Sequence, residues 1–528
     1  NYLYFIFPIV GILLTILFIR YINKRPVGHG IPGVLNAISK NRGIIRQHNL
    51  YSSIITSALT VGFGGSVGLE GPTVATGAAI GSNIGRSLSL SYKEIVLLLA
   101  CASAGAMSAI FKAPIAAIVF ALEVIMVDLT IYSMIPLLIA SATAGLTSYL
   151  FQGQNVLYSF DITESFLLSD IHFYTMLGIF TGFVSVYFTR VYIFISHKFE
   201  KINNVYKRLL IGGGILGVLI FLIPSLYGEG YEVINSSLHG DISHLFTNTF
   251  YGSLAGNPWF VLLILLLLII FKSIATSLTF AAGGIGGIFA PSLFTGVTAG
   301  LFFALLMNQL GADIPVSNFA LVGMAGMIAG VVHAPLTAIF LIAELTGGHE
   351  LFMPLMLAST ISYATVRIFE KNSVYTIQLA KRGELMTHDK DKNTLLMMNV
   401  SDLIEKNFKK VHPEDTLGDL VKTIQKSKRN VFPVVDEEGY FQGIVKLDEI
   451  RNIMFETDLY DKTYVRDLMF MPQYTIGMRE PMEEVARKFH DSGRYNIAVI
   501  REGKYIGFVS RAKVFSAYRD MLKQFSDE

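Results

Sequence analysis

One acid stands among four glycines in the stretch Gly64-Gly65-Ser66-Val67-Gly68-Leu69-Glu70-Gly71-Pro72, in a part of the chain apolar enough for a bilayer. An ionised carboxylate at bilayer depth is costly and persists where it faces a cavity, a partner or an ion path. Pro72 suits the first turn of a helix running through Gly85, and the glycines ahead of it let backbone N–H groups crowd an open space. Such a helix start attracts anions, and a carboxylate fixed there occupies the anion's place until it is protonated or displaced. A tight packing seam with Glu70 as a helix cap is the plainer alternative. A second stretch has the same form: Gly28-His29-Gly30-Ile31-Pro32 reads as a glycine turn in which proline opens a short helix to Ser39, a second anion-facing start.

The elements that must hold these residues are those of a polytopic membrane protein with a smaller soluble part. Of 528 residues, 52% are hydrophobic and 16% charged, and the mean hydropathy is +0.52. Charges crowd after about residue 380, whereas runs such as Trp259 to Phe271 carry none. A net charge of +2 argues neither for nor against nucleic acid, but the lack of a basic tract with interleaved aromatics sets that class aside, and the single Cys101 excludes both a disulfide framework and a cysteine metal site.

Tyr2 to Tyr21 reads as a first spanning helix, with Arg20, Lys24 and Arg25 at or after its end, so it runs from outside to cytosol. Apolar segments recur at about 50–63, 72–90, 94–110, 114–127 and 131–151, several too short for a full span of roughly 20 residues. Neither 152–171 nor 228–257 holds a Lys or Arg, which puts both loops outside; Lys198, Lys201, Lys207 and Arg208 mark a cytosolic linker before a helix at about 207–227.

An internal repeat relates the halves, at about 1–151 and 172–380. Ala104-Gly105 through Ala113-Pro114 to Glu123 matches Ala325-Gly326 through Ala334-Pro335 to Glu344 at a shift of 221. Leu59-Thr60, Gly64-Gly65, Gly68, Pro72, Gly77 and Gly81 match Leu278-Thr279, Gly283-Gly284, Gly287, Pro291, Gly296 and Gly300 at a shift of 219. The helices before the two glycine regions cross in opposite senses, so the halves are inverted, and inverted halves with broken helices put a binding site near the midplane. Beyond a linker at 381–398, a soluble α/β pair of repeats occupies 399–460 and 461–528. Phe432-Pro433-Val434-Val435 with Gly443-Ile444-Val445 recurs as Ile497-Ala498-Val499-Ile500 with Gly507-Phe508-Val509, each copy a helix, two strands and a helix.

With these motifs in order, the sequence resembles the CLC family of chloride channels and proton–chloride exchangers, with a C-terminal pair of cystathionine-beta-synthase-type (CBS) repeats, over essentially the whole chain. The family's G-x-E-G-P is Gly68-Leu69-Glu70-Gly71-Pro72, its G-G-x-F-A-P is Gly286-Gly287-Ile288-Phe289-Ala290-Pro291, and its late pore tyrosine matches Tyr375. The resemblance implies an α-helical inverted-repeat fold with Glu70 as the gating acid. It implies anion contacts from His29, Gly30, Ile31, Gly71, Ile288, Phe289, Ala290 and Tyr375, with the amides of Ile288 and Phe289 and the Tyr375 hydroxyl donating. It also implies a homodimer in the cell membrane with the CBS pair in the cytosol.

The sequence departs from the family pattern in four respects. His29 replaces a serine that binds the central anion, and Leu69 stands where many relatives have a base. Val124 follows Glu123 where exchangers commonly carry an internal proton-transfer glutamate. In the CBS pair the candidate nucleotide residues Lys446, Glu449, Ser510 and Lys513 lie where neither copy keeps both the hydroxyl and the acid of the signature, which leaves adenine-nucleotide sensing and a structural, dimerising role both open.

Val124 favours channel-like, uncoupled permeation of chloride or another small anion, with proton-coupled chloride antiport as the alternative. A CBS-regulated cation transporter is remote, because it needs acids lining the path. No nucleophile–base pairing or metal-ligand spacing points to an enzyme or a required cofactor, and Glu123 and Glu344 read as structural helix-end acids. Lys112 and His333, before the two Ala-Pro pairs, read as helix-break residues. The repeat places Asn1 opposite about residue 221, so roughly 30–60 further residues with one spanning helix are expected upstream.

Overall fold

The computed structural model describes the chain apart from residues 1–2, 29, 126–130, 154–165, 239–241, 247–248, 250, 347–349, 382–393, 396–397 and 527–528. His29 therefore lies outside the described residues. The chain forms two compact units, Asn1–Leu385 and Met386–Glu528.

The first unit is helical. Its first half holds α1 (Leu3–Leu17), α2 (Ile31–Lys40), α3 (Asn49–Gly62), α4 (Glu70–Ser87), α5 (Tyr92–Phe111), α6 (Pro114–Phe120) and α7 (Ile131–Gln152). The remainder holds α8 (Ile171–Glu200), α9 (Val205–Leu222), α10 (Tyr231–Leu238), α11 (Pro258–Ala282), α12 (Phe289–Gln309), α13 (Val316–Val332), α14 (Pro335–Thr346), α15 (Phe352–Phe369) and α16 (Ile377–Lys381). Eight helices among the described residues are long and apolar enough to cross a membrane, while α6, α13 and α14 are shorter apolar pieces. α4 begins at Glu70 itself, two residues before the proline expected to open it. The segment expected at 114–127 is two pieces, with a π-helical turn at Ala121–Ile125 that holds Val124.

Hydrogen bonding makes the repeat explicit. Glu123 accepts from the backbone N–H of Leu336 (3.2 Å) and Thr337 (2.8 Å) and from the Thr337 hydroxyl (2.7 Å) at the start of α14. Glu344, its counterpart, accepts from the N–H of Ile115 (3.0 Å) and Ala116 (2.8 Å) at the start of α6. Each half thus supplies the acid that satisfies the orphan donors of the other half's proline-led helix. Thr60 Oγ1 accepts from Ile285 N and Thr279 Oγ1 from Ser66 N, both at 3.1 Å and again exchanged between the halves. Lys112 and His333 both take left-handed backbone, with φ of 54° and 62°, and end α5 and α13. They are the helix-break residues the sequence suggests.

In the second unit, β1 (Val431–Val435) pairs antiparallel with β2 (Phe441–Lys446). β3 (Ile476–Gly477), a strand absent from the sequence reading, runs parallel to β4 (Asn496–Arg501), which pairs antiparallel with β5 (Lys504–Ser510). Both hairpins carry a register shift at equivalent places, Val434/Val435 and Val499/Ile500. Met398, Val400 and Leu403, from the end of the expected linker and the start of the expected first repeat, pack into the core of the second repeat with Ile476, Val485 and Val499.

Glu123→Ala strips three hydrogen bonds to a carboxylate and leaves buried donors at the start of α14, a loss of about 1.5–3 kcal/mol per charged hydrogen bond before relaxation. The variant is expected to unfold at lower temperature in detergent than wild type, with Glu123→Gln, which keeps an acceptor, falling between; equal melting of all three would refute the cross-half capping.

Candidate functional site

The two glycine stretches meet as backbone against backbone. Gly68 N–H donates to Gly287 O at 2.8 Å and Gly287 N–H to Gly68 O at 2.7 Å, an antiparallel bridge at the centre of the repeat. A Cβ on Gly71 would sit 3.1 Å from Gly287 Cα, and one on Gly287 would sit 2.9 Å from Gly71 N, so only glycine lets α4 and α12 start this close together. Gly30, with φ of +66°, brings the start of α2 against Gly71.

Between these helix starts lies a narrow cavity of about 20 Å³, room for one small species, lined by Ile31, Pro32, Gly71, Gly286, Gly287, Ile288, Val374 and Tyr375, with Tyr192 and Phe280 closing one side. The Ser373–Thr376 turn ahead of α16 presents Tyr375, and the N–H of Val374 ties that turn to Val331 O at 3.3 Å. The Tyr375 hydroxyl is buried and has no hydrogen-bond partner, an unfilled donor at the cavity. Partial positive charge from converging helix starts with one neutral hydroxyl suits a small anion.

Glu70 is 2% exposed. Its Oε1 accepts a hydrogen bond from the Tyr231 hydroxyl, and its Oε2 is buried without a partner. The carboxylate lies over Gly68, where a Cβ would strike Oε2, and faces the backbone N–H of Ala290 at the start of α12. The acid therefore occupies the field of the two helix starts itself.

Of the residues singled out in the sequence, Ile31, Gly71, Ile288 and Tyr375 come together at the cavity, Gly30 backs it, and Ala290 faces Glu70. Phe289, expected to contribute its backbone N–H, packs its ring against Phe111 at 5.5 Å. Among charged and phenolic groups, the reading missed Tyr192, Glu229, Tyr231 and Lys272. Glu229 Oε1 accepts from the N–H of Leu69 at 2.9 Å; Lys272 is fully buried, donates to Gly228 O at 2.9 Å and lies 4.7 Å from the Phe294 ring centre. Two signals pointed there: Gly228-Glu229-Gly230 brackets an acid with glycines as around Glu70, and Lys272 is the lone charge of a long apolar run.

In the soluble unit the candidate nucleotide residues bind protein partners. Lys446 pairs with Glu449 at 3.3 Å. The Ser510 hydroxyl donates to Glu405 Oε1 at 2.5 Å, Arg429 bonds Glu405 Oε2 at 2.6 Å, and the Lys513 N–H donates to Ser510 Oγ at 3.2 Å. Burial works to raise the Glu405 carboxyl, but the Ser510 and Arg429 hydrogen bonds win and hold it below the ordinary carboxylate range.

A fold of broken, inverted, glycine-joined helices around an anion-sized cavity defines a membrane anion transporter, and the comparisons agree. The family described as voltage gated chloride channel matches residues 10–367, and CBS domains match 400–456 and 465–520, so this chain belongs to the CLC family and carries a CBS pair. A putative chloride channel protein ClcB-like from Ralstonia nicotianae is 30% identical over 388 residues, 71% of this chain and 85% of the relative. An H(+)/Cl(-) exchange transporter ClcA from Vibrio cholerae is 29% identical over 359 residues, 66% of this chain and 73% of the relative. Among solved structures, a eukaryotic CLC transporter superposes with a TM-score of 0.60 at 18% identity, covering 96% of this chain and 89% of its own. A CLC-type fluoride/proton antiporter gives 0.57 at 25% identity, covering 71% and 87%.

Tyr375→Phe removes the free hydroxyl and leaves every observed hydrogen bond intact. Chloride affinity by titration calorimetry is expected to fall about tenfold or more, since a hydrogen bond to a charged partner is worth about 1.5–3 kcal/mol. Unchanged affinity would mean that Tyr375 does not touch the anion.

Proposed function

We propose that the protein exchanges chloride for protons across the membrane through the cavity, with Glu70 carrying the proton and opening the path. The observation that carries this is the buried Glu70 carboxylate, lodged at the starts of α4 and α12 with one oxygen unpartnered. Ionised, it competes with chloride for the same helix-start field; protonated, it loses that attraction and yields the place. Each exchange of the carboxylate for an anion thus links a proton to chloride movement. Relatives described as H(+)/Cl(-) exchangers support the same reading over the passive conduction suggested by Val124.

The uncoupled alternative keeps one observation in its favour. Val124 sits in the π-helical turn without a titratable group, and Glu123 beside it is taken up in capping α14. We place the protein in the cell membrane as a homodimer with the CBS pair in the cytosol, in line with the charge distribution along the loops. The repeat-equivalent Ile115 and Leu336 on α6 and α14 are 50% and 53% exposed, an apolar face suited to a second copy. Cross-linking in lipid is expected to trap dimers; monomers alone would remove that assignment.

Proteoliposomes with a chloride gradient and a clamped voltage test the exchange. Wild type is expected to move protons against their gradient as chloride runs down. Glu70→Gln is expected to keep anion flux, lose proton movement and lose pH dependence. Chloride flux without protons in wild type would establish the passive reading, and a folded Glu70→Gln protein without anion binding would show that Glu70 is not the gate.

A further inference from the structure

Glu70 is nearly sealed from solvent, so an exchanger built on it needs a second group through which its proton leaves. The strap Tyr227-Gly228-Glu229-Gly230-Tyr231 crosses the start of α4 and supplies one. Its placement is specific. Gly228 N–H reaches Gly64 O at 3.3 Å, and Lys272 holds Gly228 O from the other side. Gly230, with φ of +88°, presses on the Phe294 ring, and Tyr231 closes onto Glu70 Oε1.

The strap sets Glu229 between two charged groups. It accepts the N–H of Leu69, the residue that precedes Glu70, and its carboxylate lies close enough to Glu70 for the two to interact electrostatically. The Lys272 ammonium, fully buried and bonded to the neighbouring Gly228 carbonyl, is likewise in electrostatic reach of Glu229. The titratable groups facing Glu229 are thus Glu70 and Lys272, and those facing Glu70 are Glu229, Tyr231 and Tyr375. Two neighbouring carboxylates and one ammonium leave one negative charge over, so the arrangement favours a single proton held by the acids. Glu229, unlike Glu70, is only partly buried.

We propose that Glu229 is the proton relay between Glu70 and solvent on the side of the strap, with Lys272 balancing its charge. This rests on the exchange reading above. The step balances: the O–H bond of protonated Glu70 breaks, a new O–H forms on a Glu229 carboxylate oxygen, Glu70 is left as carboxylate in the anion's place, and Glu229 then gives its proton to solvent water.

Glu229 also accepts a backbone hydrogen bond and balances a buried lysine, so the test separates relay from scaffold. The proton-to-chloride ratio is measured in proteoliposomes for wild type, Glu229→Gln, Glu229→Asp and the double variant Glu229→Gln/Lys272→Gln. Glutamine keeps the acceptor for Leu69 but carries no proton, and its ratio is expected to drop about tenfold or more, the scale of a lost acid–base group. Aspartate, again an acid, is expected to recover a measurable part of the ratio. The double variant removes the unpaired lysine that could unfold the single one, and it is expected to show the same drop. A coupled wild type whose folded glutamine variants keep the wild-type ratio overturns the relay alone; a wild type that moves chloride without protons overturns the exchange reading and the relay with it.

Discussion

The structure depends on one contact, the paired hydrogen bonds between Gly68 and Gly287. Hydrogen bonds of this length form in any antiparallel pair, but here the surroundings demand glycine, since a Cβ on Gly68 would strike the Glu70 carboxylate and Ala290 and one on Gly287 would strike Gly71, and the pair joins the repeats at their shared centre. Everything at the cavity is measured from it. α4 begins at Glu70 two residues past Gly68, α12 begins at Phe289 two residues past Gly287, and the two helix dipoles are thereby aimed at one small volume. A side chain on Gly71 or Gly287 would separate those starts and dilute the field between them.

Acids inside this domain sort by how completely their oxygens are used. Glu123 and Glu344 each take up two backbone N–H groups of a helix start in the opposite half, which is a complete use of a carboxylate in an apolar setting. Glu70 has one oxygen on Tyr231 and the other without a hydrogen bond, facing the Ala290 N–H. A fully bonded carboxylate holds two halves together and gains nothing by moving. A half-bonded one is held by fewer contacts than that clamped pair, and the proposed exchange of Glu70 with an anion relies on this difference.

Much of this was legible in the sequence because the repeat and the glycine stretches are local patterns tied to backbone demands. Glycines that recur at a constant shift, each ahead of a proline-led helix, report close approach whatever the intervening residues do, and the acid among them stands out against lipid-compatible neighbours. Glu229 and Lys272 escaped because their meaning is tertiary. A glutamate in a loop free of bases reads as an exposed loop acid until Leu69, 160 positions away in sequence, is seen to donate to it. The run called uncharged stopped at Phe271, one residue short of the lysine that the strap carbonyl and the Phe294 ring hold in place. The packing of Met398, Val400 and Leu403 was hidden for a related reason, since chain order does not say which of two similar cores a short apolar segment will fill.

The soluble unit shows the same rule on a smaller scale. Its two repeats join through a shared core that includes Phe408, Val435 and Phe508, and through Glu405, whose carboxylate takes the Ser510 hydroxyl from one repeat and the Arg429 guanidinium from the other. The hydrogen bonds that depress the Glu405 carboxyl make the charged form the stabilising one. That stability is present above the ordinary carboxylate range and is lost as pH falls through the depressed value. Ser510 is a hydroxyl that could serve a ligand, yet here it serves an internal acid. A nucleotide using it would have to offer Ser510 and Arg429 at least what Glu405 already provides, which sets anionic oxygens, such as a phosphate's, ahead of any neutral group as the competing chemistry.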